Sequence, residues 1–102
     1  MKRRLSWSRT ALDELKTQIS FIARDNPVAA RRVATRIRDA GSALAEFATG
    51  LPGRVAETYE KSVSGLPYVL AYTIDRSGFD EQVHILHVIH TARHWPEATW
   101  PN

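Results

Sequence analysis

The chain has 102 residues, 43% hydrophobic and 25% charged, with 14 Lys and Arg, 11 Asp and Glu, four His and no Cys. Such a length and make-up suit one folded domain over residues 1–102 and argue against disorder. The absence of Cys excludes disulfides, thiol nucleophiles and thiolate-ligated metal centres, and no apolar run approaches the ~20 residues that span a bilayer.

In chain order, Arg4–Trp7 reads as a short strand and Ser8 as a helix cap, its hydroxyl placed to accept an early backbone N–H. Leu12, Leu15, Ile19 and Ile22 then fall on one helical face, and the helix should stop near Arg24-Asp25. Asn26-Pro27 restarts the chain, since Asn suits the cap and Pro the first helical position. Ala30, Val33, Ile37, Ala40, Leu44 and Phe47 continue at helical spacing, so a second, longer helix should pair with the first as an antiparallel hairpin. Gly50-Leu51-Pro52-Gly53 ends the helical half as a turn. Residues 55–63 alternate loosely, Tyr68–Ile74 is aromatic and β-branched, and Val83–His90 is the most apolar strand and the candidate centre of the sheet.

A strand, two helices and then three strands give an α+β domain: an N-terminal strand and a two-helix hairpin packed on one face of an antiparallel sheet. Strict alternation would turn Val83, Ile85, His87 and Ile89 toward the helices. It would leave His84, Leu86, Val88 and His90 on an uncovered face, where Leu86 and Val88 would contribute to a binding surface.

Charge is unevenly placed. Residues 1–61 carry 12 Lys and Arg against 7 Asp and Glu, whereas residues 62–102 carry 2 against 4. Eleven of the fourteen cations are Arg, which grips carboxylate or phosphate in a bidentate fork. An acidic protein partner and a nucleic acid both fit this distribution, and so does a solvated basic helix face.

The four His residues, at 84, 87, 90 and 94, have a spacing that would gather a metal on a helix. On a strand His87 opposes its neighbours, and His84 and His90 stand about 20 Å apart, so no metal site and no cofactor are expected. The chain has neither a Gly-x-Ser-x-Gly elbow nor a phosphate-binding Gly-rich loop. Asp13-Glu14 and Glu57/Glu60 read as solvated. Arg54, Lys61, His84, His90 and Arg93 could converge to hold a phosphodiester, with a His as acid or base, or could be scattered sheet-edge cations.

Several blocks carry a resemblance. They are Trp7-Ser8 with Ala11 and Leu15, Ile22 to Ala30, Leu51-Pro52-Gly53-Arg54, Leu66 to Tyr72, and Ile85 to Pro96. In this order and spacing they resemble the RelE/ParE superfamily of type II toxin–antitoxin toxins, closest to the ParE branch. The resemblance implies a helical hairpin on an antiparallel sheet and a cytoplasmic protein that inhibits DNA gyrase without catalysis. It places gyrase contacts at Arg93, His94 and Trp95. It implies a ParD-like antitoxin whose acidic C-terminal tail meets Leu12, Leu15, Arg31, Arg32, Arg36, Leu86 and Val88. DNA would be contacted only through the antitoxin complex, and no membrane is involved. A RelE-type ribosome-dependent endoribonuclease would instead use Arg54, Lys61, His90 and Arg93, although no Tyr follows Tyr72. A toxin relic that only binds its antitoxin is the third reading.

Overall fold

The computed structural model describes residues 3–47, 50–53, 55–78 and 80–92. Strand β1 (Arg4–Trp7) leads into helix α1 (Arg9–Ala23) and helix α2 (Pro27–Glu46). Four strands follow: β2 (Leu51–Pro52), β3 (Tyr59–Ser62), β4 (Tyr68–Asp75) and β5 (Gln82–His90). The helices start as their caps dictate. Ser8 accepts from the Ala11 N–H at 2.9 Å and Asn26 from the Ala29 N–H at 3.0 Å, with Pro27 at the first helical position.

The sheet order is β1-β5-β4-β3-β2. β2 to β5 pair antiparallel, but β1 runs parallel to β5, with Leu5 opposite Val83 and Trp7 opposite Ile85. A parallel neighbour needs a long crossover, which the helical hairpin supplies. The antiparallel sheet expected from the sequence is present in β2 to β5, with β1 added to it as one parallel strand. Leu51-Pro52, expected as a turn, forms a two-residue edge strand against Tyr59 and Glu60. Pro is tolerated there because an edge strand can spare an N–H.

Both helices lie on one sheet face. Ala11, Leu15, Ile37 and Leu44 from the helices pack with Tyr68, Leu70, Tyr72, Val83, Ile85 and Val88 from the sheet. Burying side chains such as Ile37 and Leu44, both 0% exposed, contributes about 1.5–3 kcal/mol each. Tyr72 is buried too, its ring stacked on Tyr59 with centroids 5.5 Å apart. Its hydroxyl accepts from the Gly50 N–H at 2.9 Å. Burial raises its pKa above the ordinary tyrosine value, against the smaller opposing effect of that hydrogen bond.

The far face is not the open apolar surface that alternation suggests. Ala71 and Ile89 form a second small core there, capped by Val55 from the β2–β3 connection. That connection folds back because the Gly53 N–H donates to the Thr58 carbonyl, while the Thr58 hydroxyl donates to the Val55 carbonyl. At the opposite end of the sheet, Glu81 bridges Arg3 and Arg76. Hydrogen bonds from these two guanidiniums hold its carboxyl below the usual range. The bridge ties the entry of β1 to the β4–β5 turn.

Helix α2 reaches β1 closely at Gly41. A Cβ there would overlap the Trp7 ring and come 3.0 Å from Ile85 Cδ1. Helix propensity alone would favour Ala at this position by about 1 kcal/mol, but the overlap outweighs it. Gly41→Ala is expected to destabilise the fold by about 1–3 kcal/mol net, seen as a lower urea midpoint with an unchanged slope.

Candidate functional site

β5 carries one residue more than β4 opposite it. Tyr72 faces Ile85 and Ala71 faces His87, so Leu86 is unpaired, a β-bulge. An extra residue in a strand of period two reverses the phase of everything after it. Val83 and Ile85 face the helices, as alternation predicts. Beyond the bulge Val88 takes that role at 2% exposure, while Ile89 joins the far-face core. The expected inward set of Val83, Ile85, His87 and Ile89 therefore holds only for its first half. His84 and His90, expected on one face, lie on opposite faces.

The bulge falls where β1 ends, so β5 there has no strand on that side. Side chains take over. The Ser8 N–H donates to the Ile85 carbonyl and the Ser8 hydroxyl to the Leu86 carbonyl, at 2.8 and 2.9 Å. Glu14 of α1 then accepts the Val88 N–H at 2.9 Å, and its two oxygens meet His87 Nδ1 at 3.1 and 3.2 Å. Glu14 thus closes the sheet edge and is not the solvated carboxylate expected from its amphipathic context. It sits between Ala11, Leu15 and Gln18, on the flank of the buried stripe, which is the one sequence signal that could have marked it.

Past this edge, the end of α1, the start of β4 and the end of β5 enclose an apolar groove of about 420 Å³. Its walls include Phe21, Ile22, Val33, Leu66, Tyr68 and His90. Phe21 is 61% exposed at its rim, so its ring is open to an apolar side chain that enters the groove. His90 stands edge-on to Tyr68, ring centroids 5.2 Å apart, and its Nδ1 accepts the Ala92 N–H at 3.2 Å. The neutral ring then carries its proton on Nε2. No periodic signal marks Phe21 as a functional residue, because it lies off the apolar stripe of α1.

Of the residues expected to meet an antitoxin, Leu12 is accessible at 47% exposure, and Arg31, Arg32 and Arg36 are exposed. Arg36 donates to the Ser64 carbonyl at 3.1 Å. Leu86 is half-buried at the bulge. Leu15 and Val88 are core residues at 8% and 2% exposure, withdrawn from any partner by the α1 stripe and by the phase reversal respectively. Of the nuclease set, Lys61 pairs with Leu70 and His90 with Tyr68. β4 separates these two strands, so Lys61 and His90 are at least two strand spacings, about 9.5 Å, apart. Arg54, Arg93, His94 and Trp95 lie outside the described residues. His84 bonds Ser6 Oγ through Nδ1 on the far side of the sheet and joins no cluster with His90. Among the described residues no three His, Asp or Glu are placed to share a metal ion.

A strand, a helical crossover and an antiparallel sheet of this order have known counterparts. Residues 5–95 match the family described as the ParE toxin of the type II toxin–antitoxin system parDE. The chain belongs to the ParE toxin family. The ParE-family chain is 39% identical over 98 residues to Y4kP of Sinorhizobium fredii, a protein assigned as a toxin, covering 95% of this chain and 97% of the relative. It is 35% identical over 88 residues to toxin RelE2 of Caulobacter vibrioides, covering 85% and 93%. Its fold matches a chain of the chromosomal ParDE system of P. aeruginosa with a TM-score of 0.77, at 17% identity and 87% and 96% coverage. It matches the YoeB/ParE toxin of Agrobacterium tumefaciens with a TM-score of 0.57, at 15% identity and 90% and 99% coverage. The protein is a type II toxin of the RelE/ParE superfamily.

The edge closure in this toxin is testable. Glu14→Ala removes the acceptor of the Val88 N–H and a contact of the His87 ring, and is expected to cost about 1–3 kcal/mol. Thermal or denaturant unfolding checks this, and Asp13→Ala on the exposed side of α1 should change stability little.

Proposed function

We propose that this toxin arrests growth by binding DNA gyrase, as a protein-binding inhibitor that performs no chemistry of its own, and that a ParD-like antitoxin neutralises it in the cytoplasm. The observation that carries the reading is the ParE family match over residues 5–95. The separation of Lys61 from His90 across β4 supports it, because a phosphodiester-cleaving site needs its cation and its acid or base on the same scissile group. Target contact is assigned to Arg93, His94 and Trp95. Purified toxin added to gyrase with relaxed plasmid should suppress supercoiling in a dose-dependent way. Normal supercoiling with toxin in molar excess would overturn the reading.

The RelE2 relative favours a second reading, cleavage of mRNA on the ribosome. His90 is accessible in the groove and could act in it. Primer extension on mRNA after induction separates the two, since codon-linked cuts belong to the second reading alone.

The groove of Phe21, Ile22, Leu66, Tyr68 and His90 is the seat proposed for apolar side chains of the antitoxin's C-terminal segment. An amphipathic segment folding on the toxin would bury its anchors there. Phe21→Asp should weaken antitoxin binding at least tenfold in calorimetry. Because Phe21 is 61% exposed, the melting temperature of the toxin should be nearly unchanged.

A further inference from the structure

The first twelve residues of α2 hold four arginines, Arg31, Arg32, Arg36 and Arg38, with the first acidic residue, Asp39, just after them. This arrangement works against the helix itself. Arg32 and Arg36, four residues apart, repel each other. A surface helix built only for solubility intersperses both signs of charge. Arg31, Arg32 and Arg38 are exposed and make no ion pair among the described residues. They have no acidic residue three or four positions away on the helix. Asp39, three residues beyond Arg36, and the Ser64 carbonyl occupy Arg36, which leaves Arg31, Arg32 and Arg38 as the guanidiniums open to an outside anion.

We infer that this face of α2 is a contact surface for the phosphate backbone of duplex DNA. Arg31 and Arg38 are two turns apart on one line of the helix, about 10.5 Å along its axis, with Arg32 about 100° around from Arg31. Rigidly spaced guanidiniums suit an array of fixed anions, and a duplex presents one phosphate charge about every 1.7 Å of its axis. The face is also separate from the apolar groove. Arg31 stands about 160° around the helix from Val33, which lines that groove. A segment seated in the groove therefore leaves Arg31 uncovered. This changes the sequence expectations, in which Arg31 and Arg32 meet antitoxin carboxylates and DNA is reached only through the antitoxin. The inference does not depend on gyrase being the target.

The test is fluorescence anisotropy of a labelled 20-bp duplex of arbitrary sequence titrated with the full chain. Three phosphate contacts should give a log–log salt slope of about −2.7, which is about a 40-fold loss of affinity between 50 and 200 mM salt. Arg31→Gln with Arg38→Gln should flatten the slope by about 1.8. Arg31→Lys with Arg38→Lys should keep it. The charge reversals Arg31→Glu and Arg38→Glu, both at exposed positions that should tolerate the change, should weaken binding more than tenfold. No binding at 50 mM salt, or a slope unmoved by the Gln pair, overturns the proposal. So does tighter binding of a 20-residue glutamate peptide or a single-stranded RNA of equal length, which would assign the face to those ligands instead.

Discussion

One hydrogen-bonding problem shapes this molecule. β5 is the strand on which both helices rest, and β1 covers only part of its outer edge. A β-strand edge left bare in a buried setting costs free energy for each unpaired group. Ser8 and Glu14 remove that cost with side chains where backbone runs out. Ser8 does so while also capping α1, and Glu14 does so from the next turns of the same helix. The start of α1, the end of β1 and the bulge of β5 are therefore one unit. The groove beyond them is shaped by groups that cannot move independently.

The elements were legible because their signals are local. Caps at Ser8 and Asn26, Pro27 at a first helical position and the apolar spacing of both helices place α1 and α2 nearly to the residue. Tyr68–Ile74 and Val83–His90 declare strands by composition. What the sequence hid was non-local. An extra residue in one strand exists only relative to its partner, so nothing in Val83–His90 alone announces Leu86 as unpaired. From that point the sequence misplaces His87, Val88, Ile89 and His90. The parallel pairing of β1 and the covering of the far face by Val55 are hidden for the same reason, as each depends on a contact between distant segments.

The candidate site was legible in kind more than in place. Charge asymmetry pointed to the arginines of α2, and they are exposed. Of the apolar partner contacts expected on α1 and β5, Leu12 is accessible while Leu15 and Val88 are buried, and Phe21, off the stripe, is exposed at the rim of the groove. Amphipathic periodicity detects the buried stripe of a helix. An exposed aromatic off that stripe carries no periodic signal, which is why Phe21 escaped notice.

The bulge has a consequence for how one scaffold hosts different chemistries. In this chain the imidazoles of residues 84 and 90 open onto opposite sides of a slab, one beside a serine and the other beside a tyrosine. By taking up Leu86 without a partner, the bulge gives His87 to His90 the same places opposite β4 that a strand one residue shorter would give them. Were every residue instead paired in strict alternation, both rings would share one surface and Val88 would trade places with a polar neighbour. Whether the surplus residue is bulged or paired thus decides which side of this scaffold presents ionisable groups.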